Sequence, residues 1–207
     1  MHHHSLTDPN IPLVADTSVI INLVASGIPE QLLSHISNPI YVVDEVLPEL
    51  GKGSEKGCHD ADVLNKLIDD GVVTRVSLND EGWEHFGNLV SGRAKTSLDD
   101  GEAATLAYCA VHKTIPIIDE RKANKVCKEQ FTYLKPISSA AVFKIAGQGK
   151  NIHEVQLSKA VYNALSIGRM FVMHHHLEWI VDTIGPEKAA NCNSLSKRSR
   201  RLMTTST

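Results

Sequence analysis

Leu13-Val14-Ala15-Asp16-Thr17-Ser18-Val19-Ile20-Ile21 is the stretch whose reading decides the fold. A short apolar run ends in a carboxylate, two small hydroxyl residues follow, and apolar periodicity then resumes. The pattern is that of a buried strand, residues 11–15, delivering Asp16 to the carboxyl edge of a sheet just before a helix that Thr17 or Ser18 can cap. Parallel strands bury both faces, so a carboxylate is costly inside the layer and better accounted for by a task at the strand tip. In open α/β sheets that edge is where ligands and catalytic groups collect.

Working outward, apolar runs and helical periodicity alternate. After the first helix, broken at Gly27 and Pro29, Glu30 to Ile36 reads as a short helix and Ile40 to Val43 as a second buried strand. Asp44 can cap a helix carrying Val46, Leu47 and Leu50, with Gly51 and Gly53 as its stop. Cys58 to Asp70 is amphipathic, Val72 to Val76 a third strand, and Glu81 to Leu89 a helix. Ser91 to Ser97 is a polar linker. Leu98-Asp99-Asp100-Gly101-Glu102 opens a helix, Ala103 to His112, that is small and apolar all round and therefore buried. Ile115 to Ile118 is a strand ending at Asp119, with Pro116 suited to its start or to an edge. Arg121 to Gln130 and Ser138 to Ala146 read as helices, Phe131 to Leu134 as a short strand.

Repeated strand–helix alternation predicts an α/β fold, a parallel sheet with helices on both faces. The domain expected over residues 11–146 is followed by a helical C-terminal extension, 150–190, broken near Gly168 and ended at Gly185-Pro186. Residues 1–10 and 194–207 are expected to be disordered, the latter rich in Ser, Thr, Lys and Arg. The N-terminal histidines are natural or part of a tag.

The 207 residues suffice for one α/β domain and an appendage, and 42% hydrophobic with 22% charged residues is ordinary for a soluble globular protein. A formal net charge of −3 carries no global nucleic-acid signature, so any such binding needs a local basic surface. Cys58, Cys109, Cys127 and Cys192 lack C-x-x-C spacing, which points to free thiols and a cytoplasmic location. No signal peptide or membrane span is visible.

Four segments bring carboxylates toward one edge. Asp16 and Asp119 both end strands, so they share an edge if the sheet is parallel. Glu102 sits in the first turn of the buried helix, and Glu45 and Glu49 share one helix face. Gathered carboxylates repel one another and gain protons unless a hard cation neutralises them, and Mg²⁺ or Mn²⁺ takes oxygen ligands. With such an ion, water becomes a competent nucleophile toward a phosphate ester.

Val14-Ala15-Asp16-Thr17-Ser18, Val42-Val43-Asp44-Glu45-Val46-Leu47-Pro48-Glu49-Leu50, Leu98-Asp99-Asp100-Gly101-Glu102-Ala103-Ala104-Thr105-Leu106-Ala107 and Ile117-Ile118-Asp119-Glu120-Arg121 together resemble the motifs of PIN-domain nucleases. The nearest look is to bacterial and archaeal proteins with a Gly-Glu-Ala third motif, many of which resemble toxins of toxin–antitoxin pairs. The resemblance covers about residues 11–145. It implies a three-layer α/β/α, Rossmann-like fold and a ribonuclease dependent on Mg²⁺ or Mn²⁺, with Asp16, Glu49, Glu102 and Asp119 as catalytic and metal-holding acids. Thr17 and Ser18 match small polar residues that support the first acid or a metal water. Asp99 and Asp100 compete with Glu102, Glu120 with Asp119, and Glu45 with Glu49. An antitoxin and a homodimer are the partners implied, the dimer through Leu157, Val161, Leu165, Phe171 and Val172 unless these pack on their own chain.

Each residue also has a plainer role open to it. Asp16 caps the following helix. Asp99, Asp100, Glu45 and Glu102 answer a helix dipole, whereas Glu49 opposes it if its helix stops at Gly51. Asp119 pairs with Arg121. His174-His175-His176 offers no zinc-ligand spacing. The basic run Lys197-Arg198-Ser199-Arg200-Arg201 is a solvated tail, which leaves Arg93, Lys95, Arg121 and Lys122 as the candidates for RNA backbone contacts. A receiver-like regulatory module is the alternative of another class. It wants an acid pair after the first strand, an Asp ending the third and a late Lys, and this chain has none of them in place. A PIN-like scaffold without activity is the other alternative.

Overall fold

The computed structural model describes residues 8–54, 59–91, 97–149, 151–196 and 200. The leader through residue 7, Cys58, Arg93, Lys95 and nearly all of the basic tail lie outside the described residues.

The strands are β1 (Leu13–Ala15), β2 (Ile40–Val43), β3 (Thr74–Val76) and β4 (Ile115–Ile117). They form one sheet in the order β3-β2-β1-β4, every pair parallel. Ala15 lies opposite Val42 on one side and Ile117 on the other. Helices α1 (Thr17–Ala25) and α2 (Pro29–Leu33) connect β1 to β2, and α3 (Val46–Ser54) and α4 (Asp60–Asp69) connect β2 to β3. Next, α5 (Asp80–Val90) and α6 (Asp100–His112) connect β3 to β4, and α7 (Arg121–Gln130) follows β4. The chain ends in α8 (Ser139–Ala146), α9 (Glu154–Ser166), a 3-10 turn at His174–His176, α10 (Leu177–Ile184) and α11 (Pro186–Asn191). A parallel sheet flanked by helices is the α/β three-layer class expected from the alternation.

The chain divides into two compact units. One comprises Met1–Ile20 and Ser37–Ile137 and holds the whole sheet; the other comprises Ile21–Ile36 and Ser138–Thr207. In the first unit the core is built on α6, whose Ala103, Ala104, Leu106, Ala107 and Cys109 are all shielded completely from solvent. Small side chains let this helix approach both the sheet and α5 closely, so burial replaces amphipathicity. In the second unit Val161, Leu165 and Val172 are buried within the single chain. Among the described residues no helix is long and apolar enough to cross a membrane.

Pro116 lies in β4 opposite Val14. Beyond β4, among the described residues, there is only an isolated bridge, in which Ile137 N–H donates to the Pro116 carbonyl at 3.0 Å and Ile118 N–H to the Ile137 carbonyl at 2.9 Å. The N–H that proline lacks would face that side, so the ladder to β1 is intact.

Four expectations need correction. The helix after β2 does not stop at Gly51 but runs to Ser54. Glycine there lowers helix propensity without forbidding the helix, and buried Val46 and Leu50 anchor it. Phe131–Leu134 is a turn, closed by Leu134 N–H on the Phe131 carbonyl at 2.9 Å; Phe131 and Leu134, three apart, are both buried, which a turn allows and one face of a strand does not. Gly185-Pro186 ends α10 and also starts α11. Gly185 takes a positive φ of 85°, and Pro186 stands at the first helical position, where its missing N–H costs nothing. Finally, Asp44 does not cap α3; it accepts hydrogen bonds from Ser77 Oγ at 2.5 Å and from Arg75 Nε.

Candidate active site

β1 ends one residue before Asp16, whose N–H reaches the Ile117 carbonyl of β4 at 3.4 Å. The backbone turns into α1 at once, and the Asp16 side chain caps it. Oδ1 accepts from Val19 N–H and from Ser18 Oγ, both at 2.8 Å. The capping role of Asp16 is therefore correct for one oxygen, and the cap is Asp16 rather than Thr17 or Ser18. Oδ2 is buried with no hydrogen-bond partner, and the residue is 0% exposed. A buried carboxylate oxygen without a donor is costly, so capping accounts for only half of this side chain.

Asp119 stands two residues past β4 and is buried. Because β1 and β4 are adjacent and parallel, Asp16 and Asp119 emerge at the same edge. The chain steps from β1 to β2 to β3 in one direction and then lands on the other side of β1. The strand order thus reverses between β1 and β4, the position at which open α/β sheets form a crevice. Burial pushes the Asp16 carboxyl well above the usual range, Asp119 adds to the rise, the Val19 and Ser18 bonds oppose it, and Glu102 raises it further. Ser18→Ala removes one opposing bond, so the acid limb of any activity profile should move to higher pH; an unmoved limb would remove Ser18 from the site.

Glu102 lies half-buried in the first turn of α6. Burial is the main cause that pushes its carboxyl up to about 7, with Glu120, Asp99 and Glu49 contributing as like charges. Glu49 lies in the first turn of α3, not at a helix end, because the helix continues through Gly51; the dipole favours it there. Its Oε2 accepts from Thr17 Oγ1 at 2.5 Å and from Gly101 N–H at 3.1 Å.

The structure thus gathers Asp16, Asp119, Glu102 and Glu49, with Thr17 and Ser18 bonded to two of these acids. Glu120 and Asp99 are exposed residues whose charge Glu102 feels. Glu45 likewise has a buried, unpartnered oxygen, Oε2; burial raises its carboxyl, and the like charges beside it are Asp44 and Asp100. Arg121 and Lys122 open α7, directly after Glu120, Arg121 exposed and Lys122 half-buried. His176 is buried and stacks on His175 with ring centres 4.1 Å apart, in the other unit.

Among the described residues, no three acidic, histidine or cysteine side chains converge in an arrangement that holds an ion. The donor chemistry nevertheless fits a hard divalent cation. The donors are carboxylate oxygens, Asp16 Oδ2 is buried and unpartnered, and neighbouring acids push one another toward protonation. Motif reading includes Gly101 in the Gly-Glu-Ala triplet but gives it no role; its place beside Glu102 in a helical first turn is the available signal.

A family model described as a PIN domain matches residues 12–176. No curated protein and no solved structure matches the chain.

Proposed function

The chain belongs to the PIN-domain family, whose members are typically nucleases, and from that premise we propose that it is an endoribonuclease dependent on Mg²⁺ or Mn²⁺. The observation that carries the proposal is the unpartnered, fully buried Asp16 Oδ2 beside Asp119 and Glu102 at the point where the strand order reverses. Asp16, Glu102, Asp119 and Glu49 are the acids that would hold the ion. A bound divalent cation would supply Lewis acidity, lowering the pKa of a water on it and drawing charge from the phosphodiester.

The protein's own groups do the rest. Asp16 is held in one rotamer by Ser18 and Val19, so its second oxygen keeps a fixed direction. Without a cation, burial and like charges push the Glu102 carboxyl up to about 7, and holding the ion would keep it deprotonated. Arg121 and Lys122 contact the RNA backbone, with Arg93 and Lys95 as further basic residues; such contacts position the strand without reading its sequence.

The protein is further proposed to act in the cytoplasm as the toxin of a toxin–antitoxin pair. The antitoxin would block the acidic pocket, and the chain would pair with a second copy of itself. Growth arrest on expression, relieved by a small neighbouring reading frame, would support the toxin role; unaffected growth would count against it.

The test is cleavage of a panel of tRNA, rRNA and mRNA with Mn²⁺, with Mg²⁺ and in EDTA. Hydrolysis by water leaves no 2′,3′-cyclic phosphate, so linear phosphate ends are expected. Cyclic ends, or undiminished cleavage in EDTA, would contradict the proposal.

A further inference from the structure

We propose that Thr17, Glu49 and Gly101 form a clamp that sets Asp16 and Glu102 relative to one another, with Gly101 required because a side chain there would occupy the space of the Glu49 carboxylate. The inference rests on the nuclease reading and gives Thr17 and Gly101 a positioning role in that site through Glu49, one of its proposed ion-holding acids.

Thr17 follows Asp16 at the start of α1, and Gly101 precedes Glu102 in the first turn of α6. A single oxygen, Glu49 Oε2, accepts from both, at 2.5 Å from Thr17 Oγ1 and 3.1 Å from Gly101 N–H. One side chain from α3 thereby ties together the neighbours of two site acids. The same bond completes α6. Asp99 occupies its N-cap position but makes no side-chain cap bond, and the Glu49 carboxylate takes one of the N–H groups left over.

Backbone conformation does not account for the glycine. Gly101 is helical and is not among the described glycines with positive φ, which are Gly27, Gly71 and Gly185. Helix propensity argues against it, because alanine is the better helix former. Space does account for it. A Cβ at residue 101 would stand 2.3 Å from Thr17 Oγ1 and 2.4 Å from Glu49 Oε2, closer than such atoms approach. The Glu49 carboxylate ends a flexible side chain that can swing away, and Thr17 Oγ1 can move by a turn about χ1 between the two rotamers a helical threonine takes. Alanine is therefore compatible with folding but displaces the Glu49 carboxylate and breaks the clamp.

The experiment compares wild type, Gly101→Ala, Glu49→Ala and the double variant by Mn²⁺ calorimetry and by melting of the metal-free proteins, with Thr17→Val and Thr17→Ser beside them. Gly101→Ala should weaken Mn²⁺ binding about ten- to a hundredfold, the usual effect of disturbing residues that orient ligands, without lowering the metal-free melting midpoint. Thr17→Val should weaken binding likewise, and Thr17→Ser should restore it. In the Glu49→Ala background the added methyl meets Thr17 alone, so Gly101→Ala should cost clearly less Mn²⁺ affinity than in wild type and shift the melting midpoint upward relative to its effect there. Unaltered Mn²⁺ affinity in Gly101→Ala, or an equal loss with and without Glu49, would overturn the clamp. If wild type binds no Mn²⁺ and cleaves no RNA, the nuclease reading fails; the metal-free melts then still decide the coupling of Gly101 to Glu49, and its absence would overturn the clamp as well.

Discussion

Asp16→Asn should lower RNA cleavage by roughly a hundred- to a thousandfold, the rate equivalent of about 3–4 kcal/mol of lost charge stabilisation. The substitution is nearly isosteric. The amide oxygen can still accept from Ser18 Oγ and Val19 N–H, so the cap on α1 and the turn out of β1 are preserved. What disappears is the negative charge on a side chain that is 0% exposed and whose Oδ2 has no partner. Loss of activity in a protein that still folds therefore reports on the charge. Single-turnover cleavage of a labelled RNA, with circular dichroism as the check on folding, measures it. A rate within about threefold of wild type, under 1 kcal/mol, would leave Asp16 as a helix cap and nothing more.

The metal-free protein should lose stability as the pH rises from about 4.5 toward 7, and Mn²⁺ should restore it. Burial, with Glu120, Asp99 and Glu49, pushes Glu102 up to about 7 from the 4.5 of an unperturbed glutamate. Below the lower value the carboxyl is protonated in folded and unfolded chains alike. Between the two, the unfolded chain releases its proton while the folded chain retains it, so the unfolded state binds fewer protons and stability falls with pH. Asp16, raised by burial and by Asp119, acts in the same direction. A cation that binds only the folded chain, at a free concentration a hundred times its Kd, adds about 2.7 kcal/mol. For a chain of this length that is roughly 5–11 °C in the unfolding transition. Differential scanning calorimetry across this pH range, with and without Mn²⁺, tests it. Asp16→Asn and Glu102→Gln should both flatten the pH dependence and shrink the Mn²⁺ shift. A metal-free protein that gains stability over this range, or a Mn²⁺ shift that survives both substitutions, would be contrary results.

The strand-end acids are legible in the sequence because a carboxylate that ends an apolar run is costly unless it caps a helix or serves a site, and a parallel sheet then puts Asp16 and Asp119 at one edge. Strand order is not legible. Nothing local to β4 says that it pairs with β1 rather than extending the sheet past β3, yet that choice makes neighbours of the two acids. Glu49 is readable as the second acid from its motif, but its helix outruns the stop that Gly51 predicts, since buried Val46 and Leu50 carry it onward. The reason for Gly101 is not legible in its motif, because the constraint is spatial and comes from Thr17 and Glu49, both remote along the chain. Phe131 to Leu134 misleads because Phe, Thr and Tyr favour strands, whereas the observed burial of Phe131 and Leu134 with two exposed residues between them suits a turn.

Cleavage of one single-stranded RNA by wild type with Mn²⁺, wild type in excess EDTA and Asp16→Asn with Mn²⁺ tests the metal-dependent nuclease most directly. Products ending in linear phosphates should appear only in the first reaction. Cleavage of comparable rate in either of the others, with all samples folded, would contradict a hydrolytic site built on Asp16, Glu102 and Asp119.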